Sequence, residues 1–137
     1  MSIQYIRGAL ETHLRDMPGL GLPIAYENAP FNPPVDGSAY VETRCLFAAP
    51  DDAQQGSLMF FERGVFQVTL CYPLSKGVGS SDAKAIAVRN WYARGTSLVR
   101  SGITTHVVDV PRIVSGISDN GIWRVPVSVN WQAQVST

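Results

Sequence analysis

Residues 122–135, IWRVPVSVNWQAQV, alternate apolar and polar side chains more clearly than any other stretch of the chain. Trp123, Val125, Val127, Val129 and Trp131 fall on one side, and Ile122, Arg124, Pro126, Ser128, Asn130 and Gln132 on the other. A period of two is the mark of a strand with one face in a core and one face toward solvent. Pro126 has no N–H to give to a ladder, which predicts that this strand lies at a sheet edge or carries a bulge there. An edge is also where another subunit can add.

The rest of the chain supplies partners for that strand. In residues 2–17, Ile3, Ile6, Leu10, Leu14 and Met17 recur at helical spacing behind a candidate Ser2 cap, and Pro18, Gly19 and Gly21 end the helix. Residues 22–40 contain a short strand and then Pro30, Pro33, Pro34 and Gly37, which make a stiff loop. Phe31 in that loop either pins it to its own core or docks on a neighbour. Residues 40–48 alternate with Val41, Thr43, Cys45 and Phe47 on one face. After a polar loop at 49–57 comes a long strand, interrupted or bulged at Gly64, with Phe66, Val68, Leu70 and Tyr72 inside.

A second helix is predicted over 81–94, capped by Ser80 or Ser81 and stopped by Gly95, with Ala83, Ile86, Ala87 and Trp91 as its apolar stripe. A strand ending near Pro111 follows, then turn residues 115–121, SGISDNG, and the final strand. The order is helix, three strands, helix, two strands. It predicts a single α+β domain in which a mainly antiparallel sheet carries both helices on one face.

Charge and cysteine usage narrow the function. Lys plus Arg and Asp plus Glu number 11 each, so the formal net charge is zero, and charged residues are only 16% of a chain that is 45% hydrophobic. Zero net charge gives no steering toward nucleic acid or anionic membrane and removes the self-repulsion that keeps copies apart. That balance suits a subunit of an assembly. Cys45 and Cys71 each fall within a predicted strand, outside any metal-binding spacing; buried thiols are the simple reading, and a disulfide between adjacent strands stays open. The chain has no apolar run of membrane-spanning length and no leader pattern, which predicts a cytoplasmic origin.

Residues 64–91, GVFQVTLCYPLSKGVGSSDAKAIAVRNW, show the strand, glycine turn and helix order in which nucleotide loops occur. Lys76 precedes the glycines and no Lys-Ser/Thr pair opens the helix, so the P-loop pattern fails. Gly77 and Gly79 lack the third glycine of a dinucleotide fingerprint, because Asp82 stands there. The turn reads as a connector, with adventitious anion binding at the helix start as its alternative. His13, near a helix end, suits a contact with terminal carbonyls, and His106 sits in mid-strand. Glu27, Glu42, Glu62 and Asp109 lie in or beside strands, and spacing does not say whether any two converge. Tyr26, Tyr40, Trp91, Tyr92, Trp123 and Trp131 have only Arg89, Arg94 and Arg124 near them in sequence, too few cations for a stacking platform on nucleic acid.

Three segments carry a resemblance: AYENAPFNPPVDGSAYV (25–41), GVFQVTLCYPLSKGVGSSDAKA (64–85) and WRVPVSVNWQAQ (123–134). Together they resemble the tail-terminator-like proteins of long-tailed bacteriophages, over nearly the whole chain from Ile6 to Ala133. Tyr26 departs from the family's pattern, which has Trp before the Glu27-Asn28 pair. The resemblance implies one tail-terminator-like domain over residues 1–137 and a structural virion protein of the tail or neck, assembled in the host bacterial cytoplasm. It also implies that the chain is no enzyme and needs no cofactor or metal. Its role would be a hexameric ring that caps the tail tube, ends tube growth and offers a surface for head joining. Implied partners are copies of itself, the tail tube protein and a head-completion or connector protein, with no membrane and no sequence-specific nucleic acid.

A closed ring needs two different patches on each subunit. The candidates are Phe31, Asn32 and Pro33 on the stiff loop, Asp51 and Asp52 on the polar loop, Lys76, Gly77, Val78 and Gly79 at the glycine turn, and Pro126 on the last strand. Two other readings are another neck or minor tail protein of related fold, and a small phosphate- or ligand-binding domain that uses the turn at 77–81.

Overall fold

The computed structural model describes residues 2–50, 59–74 and 77–136. Helix α1 (Ser2–Arg15) turns Ile6, Leu10 and Leu14 fully inward, and Met17 follows them just past its end. Ile3, expected on the same stripe, is instead exposed in the first turn. Gly19 and Gly21, at φ 74 and 63, carry the chain away through left-handed positions.

Helix α2 (Gly79–Trp91) buries Ser81, Ala85 and Val88, and Tyr92 just past its end continues that line. The stripe expected from spacing is therefore rotated: Ala83 and Ile86 face outward, while Ala87 and Trp91 are half-buried. Apolar residues stand on most sides of this helix, so spacing alone does not choose a face. The choice is made by Tyr92, whose buried hydroxyl donates to the Leu10 carbonyl of α1 at 2.7 Å. Tyr92→Phe is expected to lower stability by about 1 kcal/mol, the net worth of one such bond; an unchanged urea midpoint would show that the bond contributes nothing. Ser80 and Ser81 lie inside the helix rather than capping it. Val78 holds the cap position, and the Ser81 hydroxyl donates to the Val78 carbonyl at 3.0 Å.

The strands are β1 (Ile24–Ala25), β2 (Tyr40–Phe47), β3 (Met59–Pro73), β4 (Ser97–Arg100), β5 (Ile103–Val107), β6 (Arg112–Ile113), β7 (Ile117–Asp119) and β8 (Ile122–Ser136). Among the described residues they form one sheet in the order β1-β2-β3-β8-β5-β4, with β6 and β7 also paired to β8. The sheet is mixed, because β1 runs parallel to β2 while the other pairs are antiparallel. A parallel neighbour needs a long return, and the proline loop from residue 26 to residue 39 supplies one. Five strands follow α2, where two were expected. The additional ones are two to four residues long, too short to show a period.

Strands β3 and β8 pair along their whole lengths, from Met59↔Ser136 to Pro73↔Ile122. On one face Phe66, Val68 and Leu70 join Val125, Val127, Val129 and Trp131, and both helices cover that face in a single core. Gly64 does not interrupt β3: it pairs with Phe47 on one side and Trp131 on the other. A Cβ at Gly64 would overlap the Leu46 carbonyl oxygen, so glycine is required there by close approach.

Strand β8 is an inner strand, contrary to the edge expected from Pro126. Its outer flank is covered in succession by β7, β6 and β5. Between Ile113↔Val127 and Ile117↔Arg124 the outer chain advances four residues while β8 advances three, which is a bulge opposite Pro126. The Pro126 carbonyl accepts from the Val114 N–H at 2.9 Å, and the N–H that proline lacks would point into this bulge. The ladder thus loses no bond to the proline.

Cys45 and Cys71 are free and buried. Cys71 pairs with Tyr40, five positions from Cys45 along β2, so the thiols stand roughly 17 Å apart, beyond disulfide reach. Burial pushes each thiol up to about 11. A thiol whose folded value lies above its unfolded one stabilises the fold fully below the unfolded value of 9.0 and loses that contribution as pH rises through about 11. Stability is therefore expected to fall between pH 9 and 11. Native protein at pH 8 should resist a thiol reagent that labels both cysteines in denaturant, and rapid native labelling would contradict the burial.

Candidate subunit interface

Three segments far apart in sequence meet at one end of the sheet. The proline loop, the end of β3 and the turn into β8 enclose a cleft of about 310 Å³, lined by residues that include Pro33, Pro34, Tyr72, Leu74 and Ile122. Beside it a second cleft, of about 300 Å³, shares Pro73 and Leu74 and adds Gly77, Val78, Ser118 and Trp123. Exposed large apolar side chains lie on or beside the segments that line these clefts: Val78, which lines the second, by 50%, Val35, next to Pro34 of the first, fully, and Ile117, next to Ser118 of the second, by 58%. Exposed apolar side chains around adjoining clefts mark a surface for a partner.

The proline loop is held in shape by its own bonds. Gly37 N–H donates to the Pro34 carbonyl at 3.1 Å, and the Ser38 N–H and hydroxyl both donate to the Asp36 carboxylate. Phe31 is half-buried with its ring centroid 5.2 Å from that of Tyr40, so it pins the loop to its own chain. Val35, in the same loop, is fully exposed.

Of the other expected residues, Asn32 and Pro33 are exposed, and the clefts bring Pro33 to the same end as Gly77 and Val78. Gly79 opens α2. Pro126 stands apart, in the middle of β8 on the face that the helices leave uncovered. Asp51, Asp52 and Lys76 lie outside the described residues.

Sequence reasoning missed Val35, Ile117 and the role of Arg124. The first two lie in turn-forming stretches, where loose patterning hides a single outward valine or isoleucine. Arg124 lies on the uncovered face and ties three strands together. Its Nη1 is 2.9 Å from Glu42 Oε2 on β2 and donates to the Cys71 thiol on β3 at 3.4 Å, while its Nε is 3.3 Å from Asp119 Oδ2 on β7. The signal available was its place among the polar residues of the alternating strand.

Most of the groups weighed for chemistry are occupied in holding the fold. His13 Nε2 lies 2.9 Å from the Trp91 carbonyl, and its ring stacks on the Trp91 indole at 4.5 Å. A carbonyl only accepts, so Nε2 carries the proton. The contact with a helix-terminal carbonyl is the one expected, though the helix is α2. Glu27 pairs with Arg7 and accepts from the Cys45 N–H, Glu42 binds Arg124, and Asp109 accepts from Asn130, so these three carboxylates do not converge; Glu62 is buried on β3, opposite Ala133 of β8. His106 Nδ1 and the Ser97 hydroxyl lie 2.9 Å apart as an exposed cross-strand pair.

The comparisons with known proteins agree with this architecture. A family model described as phage tail terminator protein matches residues 5–131. One solved structure, known only by a serial designation, is 25% identical, with a TM-score of 0.79 over 100% of this chain and 99% of that chain. A chain from the virion of a native gene transfer agent particle is 17% identical, with a TM-score of 0.64 over 97% of each chain, and shares the fold. No curated protein matches.

Proposed function

The chain belongs to the phage tail terminator family, and from that membership we propose that it caps the tail tube as a hexameric ring, ends tube polymerisation and offers the surface on which the head joins. The family is one of structural virion proteins, so the chain is a tail component that associates with other tail or virion proteins. In the proposed role residues 1–137 act as one tail-terminator domain, and the partners are other copies of the chain, the tail tube protein and a head-completion protein.

The observation that carries this reading is the pair of adjoining clefts at one end of the sheet, with Val35, Val78 and Ile117 exposed on or beside the segments that line them. A cap must recognise the last ring of a tube without continuing it. A surface that joins an apolar centre to polar surroundings, held by a braced loop and a long strand pair, is suited to such a contact. Gly77, at φ 76 beside Val78, gives the turn the freedom to settle against a neighbour.

Electron microscopy of particles from a phage or prophage lacking this gene tests the proposal. Overlong, headless tails are the expected result. Tails of normal length that fail to join heads would make the chain a neck connector of related fold, and normal infectious particles would remove it from tail completion.

A further inference from the structure

The uncovered face of the sheet carries a row of side chains that crosses four strands: Arg44 on β2, Gln67 on β3, Ser128 on β8 and Arg112 on β6, each opposite the next in register. With strands about 4.8 Å apart, the two arginines rise from backbones roughly 14 Å from each other. Both are exposed, and among the described residues neither side chain has an ion pair or hydrogen bond. The acids on the same side are already engaged: Glu42 and Asp119 bind Arg124, and Asp109 accepts from Asn130. Two guanidiniums therefore flank an amide and a hydroxyl, with their charge unanswered.

We propose that this row seats the segment 51–58, DDAQQGSL, of the next copy in the ring. The inference rests on the ring assembly proposed above. Asp51 and Asp52 are the only adjacent pair of acidic residues in the chain, and Gln54, Gln55 and Ser57 follow them in the same segment. The segment thus repeats the chemistry of the row with the opposite charge: carboxylates for Arg44 and Arg112, amides and a hydroxyl for Gln67 and Ser128. Arginine takes a carboxylate through two parallel hydrogen bonds, which fixes orientation as well as proximity. A ring closes by joining two different patches head to tail, and a loop on one subunit with a row on the next is such a pair. Pairs of this kind set partner and register more than they set affinity.

Charge reversal on each side tests the pairing. The gene is supplied in trans to a phage or prophage that lacks it, and tail lengths are scored by electron microscopy. D51K/D52K and R44E/R112E are each expected to lower the fraction of normal-length tails at least tenfold, since each puts like charges across the junction. Expressed together they should restore that fraction to within twofold of wild type, because the two variants alternate around the ring with every junction attractive. Melting temperatures of the purified variants show whether they fold. Should either reversal unfold the chain, the neutral set D51N/D52N and R44Q/R112Q is expected to give smaller losses in the same direction.

Normal tails from each reversed variant would overturn the pairing, as would failure of the mixture to rescue. A single chain carrying all four reversals that restores tails when the mixture does not would place the segment on its own subunit, which also overturns the proposal. Failure of the wild-type gene to restore tail length would refute the ring reading itself, and this pairing with it.

Discussion

Gly64→Ala is expected to destabilise the protein by about 3 kcal/mol or more, toward the severe end for a single added methyl group. The added Cβ would overlap the Leu46 carbonyl oxygen and stand 2.9 Å from Cζ2 of Trp131. Neither neighbour has room to yield. The carbonyl belongs to β2 next to Phe47, the residue paired with Gly64, and moving it strains that end of the β2–β3 ladder. The indole is 1% exposed, with the Phe47 ring edge-on at 5.4 Å. Gly116 offers the comparison, because the three atoms nearest a Cβ there all belong to the ring of Trp123, which is half-buried and able to shift. Gly116→Ala should therefore cost less than Gly64→Ala. A smaller residue at 131 should rescue Gly64→Ala only in part, since the carbonyl clash remains. Urea denaturation of the single and double variants measures both effects. A wild-type midpoint for Gly64→Ala would mean that β2 and β3 do not approach as closely as described.

The same glycine shows where sequence reading stops. The alternation of β8 and the faces of β2 and β3 were legible because each strand lies against one core and so keeps a strict period of two. The identity of both helices and the single covered face followed from them. Gly64 looked like a break because glycine weakens a strand; that an indole from another strand lies against it is a long-range fact with no local signal. Pro126 looked like an edge for a similar reason. The missing N–H is indeed unpaired, but a bulge in the neighbouring chain absorbs it, and the bulge arises from the register of β6 and β7, strands too short to have a pattern. In α2 the apolar residues were visible and the buried face was not, because the hydroxyl of Tyr92 chooses it by reaching across to α1.

The candidate surface was legible in its parts and not in its assembly. The stiffness of the proline loop and the freedom of the glycine turn follow from residue type, and both were singled out. That they meet at one end of the sheet depends on where β3 stops and β8 starts, which only the pairing of Pro73 with Ile122 reveals. Phe31 drew attention as the large apolar residue of its loop. The fold uses it inward, against Tyr40, and it is the smaller Val35 that is left in water. Burying the larger ring and exposing the smaller side chain is what apolar area alone would favour.

Val35→Asp combined with Ile117→Asp is expected to leave the fold intact and abolish tail capping. Val35 is fully exposed and Ile117 is 58% exposed, so aspartate at either position forfeits little buried surface; stability should change by no more than about 0.5 kcal/mol for each. The consequence for assembly is of another size. If this end closes against a tube ring, each aspartate must give up its water without gaining a partner, and the effective penalty for such a charge is several kcal/mol. At about 1.4 kcal/mol per factor of ten in affinity, two unpaired carboxylates on every subunit lower binding to the tube end by at least roughly a hundredfold. Ile86→Asp provides the control, because Ile86 is 44% exposed on the outer side of α2 and lines neither cleft. Ile86→Asp should give tails of normal length where the double variant gives overlong ones. A double variant that melts with the wild type and still yields normal tails would show that the cap meets the tube through some other surface, and overlong tails from Ile86→Asp alone would move that surface to the helical side.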